Sequence, residues 1–279
     1  MWRPPSGGRG VTAPSDLARR AARRVAPAYM ADRARRYELT VRQRAGVTHS
    51  ARRLVADGEP VVRGGPFRGM RYPGTRLSEI DAPVAKLLGT YEHEIAWVFW
   101  RAIEQQVTAF IDLGCADGYY AVGMAHACPK TTTHAFDLAT SARRLCAETA
   151  TASGVEQRVH VGKRFTVEAL PRHLDRALVL CDIEGAEVDV LDETVASALA
   201  HAVLVVEAHE DERPGAGARL REVFGRTHDA HTVEQEPRRQ VPEALTTWTP
   251  VERSRALSEW RGPHQHWIVL DPKAGRGYG

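Results

Sequence analysis

Two short stretches hold the side chains best suited to moving protons or binding cations. One is "DIEGAE", Asp182 to Glu187, and the other is "VVEAHED", Val205 to Asp211; each closes an apolar run. If the two runs are adjacent parallel strands, about 4.8 Å apart, then Asp182, Glu207 and His209 converge at their carboxyl ends. Glu207 and His209 are two apart, so they point to the same side of an extended strand. Two carboxylates and an imidazole can hold a divalent metal such as Mg²⁺ or Mn²⁺, which would lower the pKa of a bound hydroxyl. Without a metal, His209 is the expected general base, oriented by Asp182 or Glu207. Glu184 and Glu187 either join the cluster or cap the helix that follows.

A second constellation lies in "TAFIDLGCADGYYAVGMA", Thr108 to Ala125. An apolar run ends at Asp112, Gly114 and Gly118 follow within six residues, and a second apolar segment begins at once. The two glycines let the backbone turn sharply and approach a ligand closely, while the start of the next helix offers unpaired N–H groups. A dinucleotide fingerprint would require glycine at 116 and 119, where this chain has Ala116 and Tyr119, so a nicotinamide cofactor loses its main support. Twenty-five residues after Asp112, another apolar run ends in Asp137, whose carboxylate can accept hydrogen bonds from a ribose diol. The pattern predicts a nucleoside ligand without a pyrophosphate.

These residues need a scaffold that brings strand ends together. From Gln106 onward, β-like segments ("VTAFIDLG", "TTHAFDL", "RVHVG", "ALVLCDIE", "AVLVVEAH", "HTVEQE", "HWIVLD") alternate with helix-like ones. That alternation predicts a doubly wound, Rossmann-like α/β domain over residues 106–279, with a seven-stranded parallel sheet whose ligands bind at the carboxyl edge. Residues 61–105 form a lead-in: "PVVRGGPFRGMRYPGT" suggests a small hairpin, and "DAPVAKLLGTYEHEIAWVFWRAIEQQ" a helical region. A helix just before the first strand can cover the carboxyl edge, so Tyr91 and Glu92 in "GTYEHE" are expected to face the pocket as a lid.

The chain has 279 residues and a net charge of +3, which hides an asymmetry. Residues 1–60 carry thirteen arginines against five acids, leaving −5 on the remainder. Ser15 can cap an Arg-rich helix there, so residues 1–60 read as a helical, basic extension. Nucleic acid is a conceivable partner of this segment, but no RNA-binding signature and few stacking aromatics accompany the charge, so solvated helices packed on the catalytic domain are favoured. No 18-residue apolar run and no secretory leader are legible, so neither a membrane span nor export is expected. Cys115, Cys128, Cys146 and Cys181 form no CxxC pair and suit a reducing cytoplasm.

"DLGCADGYYAVGMA", "AFDL", "LCDIEGAEVDVLDE", "LVVEAHED" and "KLLGTYEHEI" together resemble the FkbM-type class I S-adenosylmethionine-dependent methyltransferases, over roughly residues 62 to 271. The resemblance implies that the turn Gly114–Gly118, with Asp112, Cys115, Asp117 and Tyr119 around it, holds the methionine part of S-adenosyl-L-methionine. Asp137 and Leu138 would hold the ribose, and Asp182 with its neighbours would stand beside the methyl group. Two positions depart from the wider superfamily: Ala116 replaces the middle glycine, and "GKRF" follows the third strand where an acid often contacts adenine. Enzymes that methylate base amines commonly carry an Asn/Asp-Pro-Pro-aromatic tetrad after the fourth strand, where this chain has "DIEG". A hydroxyl or carboxyl of a small molecule, sugar or natural-product intermediate is therefore the expected acceptor, with a second copy of the chain a further allowed partner. An RNA-directed enzyme using the basic extension, or a non-catalytic protein that keeps the fold, are the alternatives.

Overall fold

The computed structural model describes residues 27–273 except 57, 172, 173, 175, 237–240, 260, 262 and 263. Ser15 and the first part of the Arg-rich segment lie outside the described residues. The chain opens with α1 (Pro27–Arg44) and α2 (Val47–Val55), followed by α3 (Pro83–Leu88) and α4 (Ala96–Glu104) of the lead-in. The sheet strands are β1 (Ala109–Leu113), β2 (Thr132–Phe136), β3 (Val159–Gly162), β4 (Ala177–Cys181), β5 (Val203–His209), β6 (His228–Val233) and β7 (Gln265–Pro272). Between them run α5 (Tyr119–Ala127), α6 (Thr140–Ala152), α7 (Glu187–Val190), α8 (Glu193–Ala198), α9 (Ala216–Phe224) and α10 (Pro250–Ala256).

The strands form one seven-stranded sheet in the order β3-β2-β1-β4-β5-β7-β6, so the direction of strand addition reverses between β1 and β4. Ligands of such sheets bind at this switch point. All residues of β1, β4 and β5 are buried, as expected for central strands covered on both faces. Alternate residues go to opposite cores: Phe110, Leu178, Leu180 and Val205 pack with α2, α4, α5 and α6, whereas Ile111, Val179, Leu204 and Val206 pack with α8 and α9. This is the doubly wound, Rossmann-like architecture read from the sequence. The sheet is mixed, however, because β7 runs antiparallel to both β5 and β6. A parallel strand needs a crossover that carries the chain back along the sheet; here the β6–β7 connection, whose α10 packs against α2, returns the chain to the sheet beside His209, where Gln265 opens β7.

The lead-in contains the expected hairpin in minimal form, a single antiparallel bridge between Val61 and Arg71. Its helical region is broken where Gly89 and Glu92 take φ of 71° and 45°. The basic extension is docked by a different chemistry at each end. Ala51, Leu54 and Val55 of α2 join the first core, whereas residues 31–41, 43 and 44 of α1 are all at least partly exposed. Polar contacts hold α1: Asp32 accepts from the Thr140 and Ser141 amides at 3.1 and 2.9 Å, and Arg35 donates to the Glu79 carbonyl at 2.9 Å.

At the switch point the turn after β1 touches the end of β4. A Cβ added to Gly114 would lie 1.7 Å from the Asp182 carbonyl oxygen, and Gly114 has φ of 98°. Both steric room and backbone conformation therefore require glycine. Gly114→Ala is expected to cost roughly 3 kcal/mol or more. Denaturant unfolding of the two proteins checks this, and a loss below about 1 kcal/mol would mean that the strand ends separate easily.

Candidate active site

The turn Gly114–Gly118 is built by its own backbone and by Asp137. The Gly114 and Cys115 amides donate to the Phe136 carbonyl at 2.8 and 3.1 Å. Asp137, just past β2, accepts from the Ala116 amide at 3.1 Å and from the Ala139 amide at 2.7 Å. One carboxylate thus ties the β1–α5 turn to the β2–α6 turn. Gly118, with φ of 88°, would bring a Cβ within 3.2 Å of Cys146 on α6. Both glycines therefore serve close approaches within the protein. Ala116 adopts φ of 45°, a left-handed conformation that glycine would take with less strain.

Asp112 and Asp117 are both buried, in different circumstances. Asp117 accepts from Lys86 Nζ at 2.6 Å and from the Tyr72 hydroxyl at 3.2 Å, and Lys86 also pairs with Asp81. Its carboxylate is committed to a buried ion pair. Asp112 accepts from the Ala121 amide, yet its Oδ2 is buried without a donor among the described residues. Burial pushes the Asp112 carboxyl up to about 8, helped by the charge of Asp137. Cys115 is buried beside Cys146, Tyr119 packs edge-on to Phe67 and Tyr91, and the carbonyl of partly buried Leu138 accepts from Arg143 at 2.9 Å.

One strand over, the ends of β4 and β5 gather carboxylates around a single imidazole. His209, 1% exposed, places Nδ1 2.9 Å from Glu187 Oε1, while Nε2 stands 3.5 Å from Asp182 Oδ1, 3.5 Å from Glu184 Oε2 and 3.4 Å from Glu207 Oε2. The anticipated convergence of Asp182, Glu207 and His209 is present, with Glu184 at its exposed edge. Glu207 is also engaged elsewhere, because Arg261 donates to its Oε1 at 2.9 Å and pairs with Glu94. Glu187 was read as a cluster member or a helix cap, and it is the closest partner of the imidazole. Its Oε1 accepts from the Ile183 and Gly185 amides at 3.1 Å each, so the "DIEGAE" turn folds back over its own glutamate. Asp182, Glu187 and His209 each offer a ligand atom within 4.8 Å of the others, a trio in which Glu187 takes the place assigned to Glu207.

The charges perturb one another strongly. Burial opposes charge on His209, but the Glu187 hydrogen bond and the charges of Asp182 and Glu207 outweigh it and raise the imidazole to about 10. Such a group is protonated at neutral pH, so unassisted His209 is a poor base there. Burial and Glu207 hold Asp182 well above the usual carboxylate range. Burial and Glu92 bring Glu207 to about 7, against the pull of Arg261.

Glu92 is buried and Tyr91 partly buried. Glu92, 2% exposed, accepts from the Tyr120 hydroxyl, and Tyr91 packs against Tyr119 and Tyr120. Burial raises Glu92 to about 8, with Arg261 opposing. The segment is a buried wall connected to the acid cluster through Arg261. Neither Arg261 nor Glu94 was singled out from the sequence, since an isolated Arg before a strand and a Glu in an apolar helix carry no local signature.

No protein-family model matches the chain, and no curated protein matches it. Solved structures similar to it include cofactor-bound Rv0187 from MTB (15% identity, TM-score 0.43, 61% of this chain and 76% of that one). Two others are an O-methyltransferase from Bacillus cereus in complex with SAH (9%, 0.44, 61% and 77%) and the O-methyltransferase TomG from Streptomyces achromogenes in complex with SAM (15%, 0.40, 61% and 76%). Likeness at this level carries no residue role and no substrate to this chain. Among the described residues, no helix is long and apolar enough to cross a membrane.

The buried Asp112 carboxyl gives a pH test. Its folded pKa lies above the unfolded value of about 4, so the folded protein binds the extra proton. That contribution is complete below about pH 4 and is lost as pH rises through about 8, at up to roughly 1.4 kcal/mol per pH unit. Asp112→Asn keeps the acceptor for the Ala121 amide and removes the titration. Its melting temperature is expected to exceed wild type by several degrees at pH 8.5 and to match it near pH 4; equal differences at both pH values would exclude the assignment.

Proposed function

We propose that this chain is an S-adenosylmethionine-dependent methyltransferase of the FkbM type, acting on a hydroxyl group of a small-molecule acceptor. The observation that carries the reading is adjacency. The Asp137-stapled turn and the Asp182–His209 cluster occupy neighbouring strand ends at the switch point, joined by the contact of Gly114 with Asp182. The sheet order, with one reversed strand beside the last, is the arrangement expected of class I methyltransferases.

The residues present fit the donor at two points. The Asp112 oxygen without a donor lacks a partner that an ammonium group would supply. Asp137 already accepts two N–H groups, and its four lone-pair sites leave room for a ribose diol. When bound, the donor supplies a methyl group activated by a sulfonium. Asp182, at the partly exposed side of the cluster, would orient the acceptor hydroxyl and pass that hydroxyl's proton to the acids around His209, so that an O–CH₃ bond replaces the O–H bond while the sulfonium–methyl bond breaks. Glu92, Tyr91 and Arg261 close the inner wall and exclude water from it.

Calorimetry with S-adenosylmethionine and its demethylated product tests the donor. Wild type is expected to bind both, and Asp137→Ala to lose about 1.5 to 3 kcal/mol, the scale of charge-assisted hydrogen bonds, with folding verified by its melting curve. Transfer of labelled methyl to a panel of hydroxylated compounds tests the acceptor. Wild type that binds neither ligand at millimolar concentration would overturn the reading.

A further inference from the structure

We propose that the edge of β6 pairs with a second copy of this chain, as an antiparallel two-fold dimer centred on Ala230. β6 ends the sheet and has only β7 beside it. Asp229, Ala230, His231 and Thr232 are all exposed, so the middle of this strand is open on both faces.

The ladder determines which backbone groups point outward. The Lys273 amide donates to the Thr227 carbonyl at 3.0 Å, which extends the β6–β7 register by one pair and makes that pair a hydrogen-bonded one. Hydrogen-bonded pairs alternate along an antiparallel ladder, so Asp229 and His231 bond to β7 while Ala230 and Thr232 turn their N–H and C=O groups away from it. A second β6 can meet those groups in only a few symmetric registers. Centring the pair on Asp229 or on His231 sets that residue opposite itself. Centring it on Ala230 sets Asp229 opposite the second copy's His231, at a position where facing side chains lie close.

Asp229 lacks such a partner within its own chain. Across the ladder it lies opposite Asp271, a like charge. Asp271 is answered by Arg101 at 2.7 Å and stands 3.9 Å from His231, whereas no cation lies within ion-pair distance of Asp229 among the described residues. The same face of the sheet carries exposed apolar surface. Trp97 and Trp100, 43% and 51% exposed, are three apart on α4 and so neighbours on its surface. Arg101 lies 5.2 Å from the centre of the Trp97 ring and reaches Asp271, which places this aromatic patch beside the β6 edge. A two-fold axis perpendicular to the sheet at Ala230 keeps the α4 helices of both copies on one face, and tryptophan is among the residues most enriched where interfaces gain their energy.

The contact goes beyond methyl transfer and is read without the donor, so it stands or falls apart from the methyltransferase reading. Sedimentation of the full-length protein is expected to show a dimer with a micromolar Kd. Ala230→Pro removes an outward N–H and no bond to β7, so it should weaken the dimer tenfold or more, with folding verified by the melting curve. Replacing Trp97 and Trp100 together by serine should do the same. Asp229→Lys and His231→Asp should each weaken the dimer, and the two combined should return it to within threefold of wild type. Ala230→Cys should link two chains in a glutathione redox buffer, because the Cα atoms of a hydrogen-bonded pair lie about 5.5 Å apart, while Thr232→Cys should not. A wild type that stays monomeric throughout the micromolar range, a dimer unchanged by Ala230→Pro, no recovery in the double charge variant, or linkage of Thr232→Cys in preference to Ala230→Cys would each overturn the contact.

Discussion

The fit of Gly114 against the Asp182 carbonyl is the constraint on which the rest of the site depends. The β1–β4 pairing runs to the last possible residue, where the Asp182 amide still donates to the Leu113 carbonyl at 2.9 Å. Directly beyond it, no side chain fits between the two backbones. Asp137 then reaches across from β2 to the Ala116 amide. Three successive strand ends are therefore held side by side, and a group resting on the β1 turn is unavoidably beside Asp182. Adjacency of the two halves of the site follows from backbone packing at a single glycine, before any side chain contributes.

That scaffold tolerates an expensive electrostatic arrangement. Burying several carboxylates together opposes folding unless protons or cations answer them. Here part of the answer is Arg261, 10% exposed at its side chain, held between Glu94 and Glu207. Part is His209, held by Glu187. Local strain accompanies the arrangement: Glu92, Ala116 and Glu184, all at the site, have positive φ without being glycine. Sparsely populated backbone conformations at this density mark a place where geometry has been fixed at the expense of stability.

The strands were legible because central strands covered on both faces read as continuous apolar runs, and "FIDL", "LVLC" and "VLVV" all proved fully buried. The convergence of Asp182, Glu207 and His209 was legible for a related reason, since the spacing of parallel strands and the two-residue period of β5 determine it. Glu187 was harder. Its proximity to His209 depends on Glu184 and Gly185 both turning left-handed, with φ of 57° and 87°, which reverses the chain within three residues. Glycine hints at such a turn, but nothing local says that a glutamate after it points back. The close backbone approaches at Gly114 and Gly118 were not legible for a similar reason: sequence registers the need for glycine and not which neighbour imposes it. Glu92 was expected to face the pocket because an apolar helix before β1 can lie over the edge; the breaks at Gly89 and Glu92 that divide that helix carry no comparable sequence signal.

The reversed strand explains how a cation comes to stand in this acid-rich place. Had β7 been parallel to β5, the residues preceding it would lie at the amino edge of the sheet, far from His209. Because it is antiparallel, with Glu207 opposite Trp267 and His209 opposite Gln265, the approach to β7 crosses the carboxyl edge. Arg261 lies on that approach and stacks its guanidinium 5.4 Å from the centre of the Trp267 ring. The topology thus delivers an arginine to Glu207 from a part of the chain more than fifty residues away. It also determines where that charge cannot reach. Arg261 pairs with Glu207 and Glu94, while Asp182 and Glu187 face His209, so that among the described residues the site divides into a half answered by a guanidinium and a half answered by the imidazole.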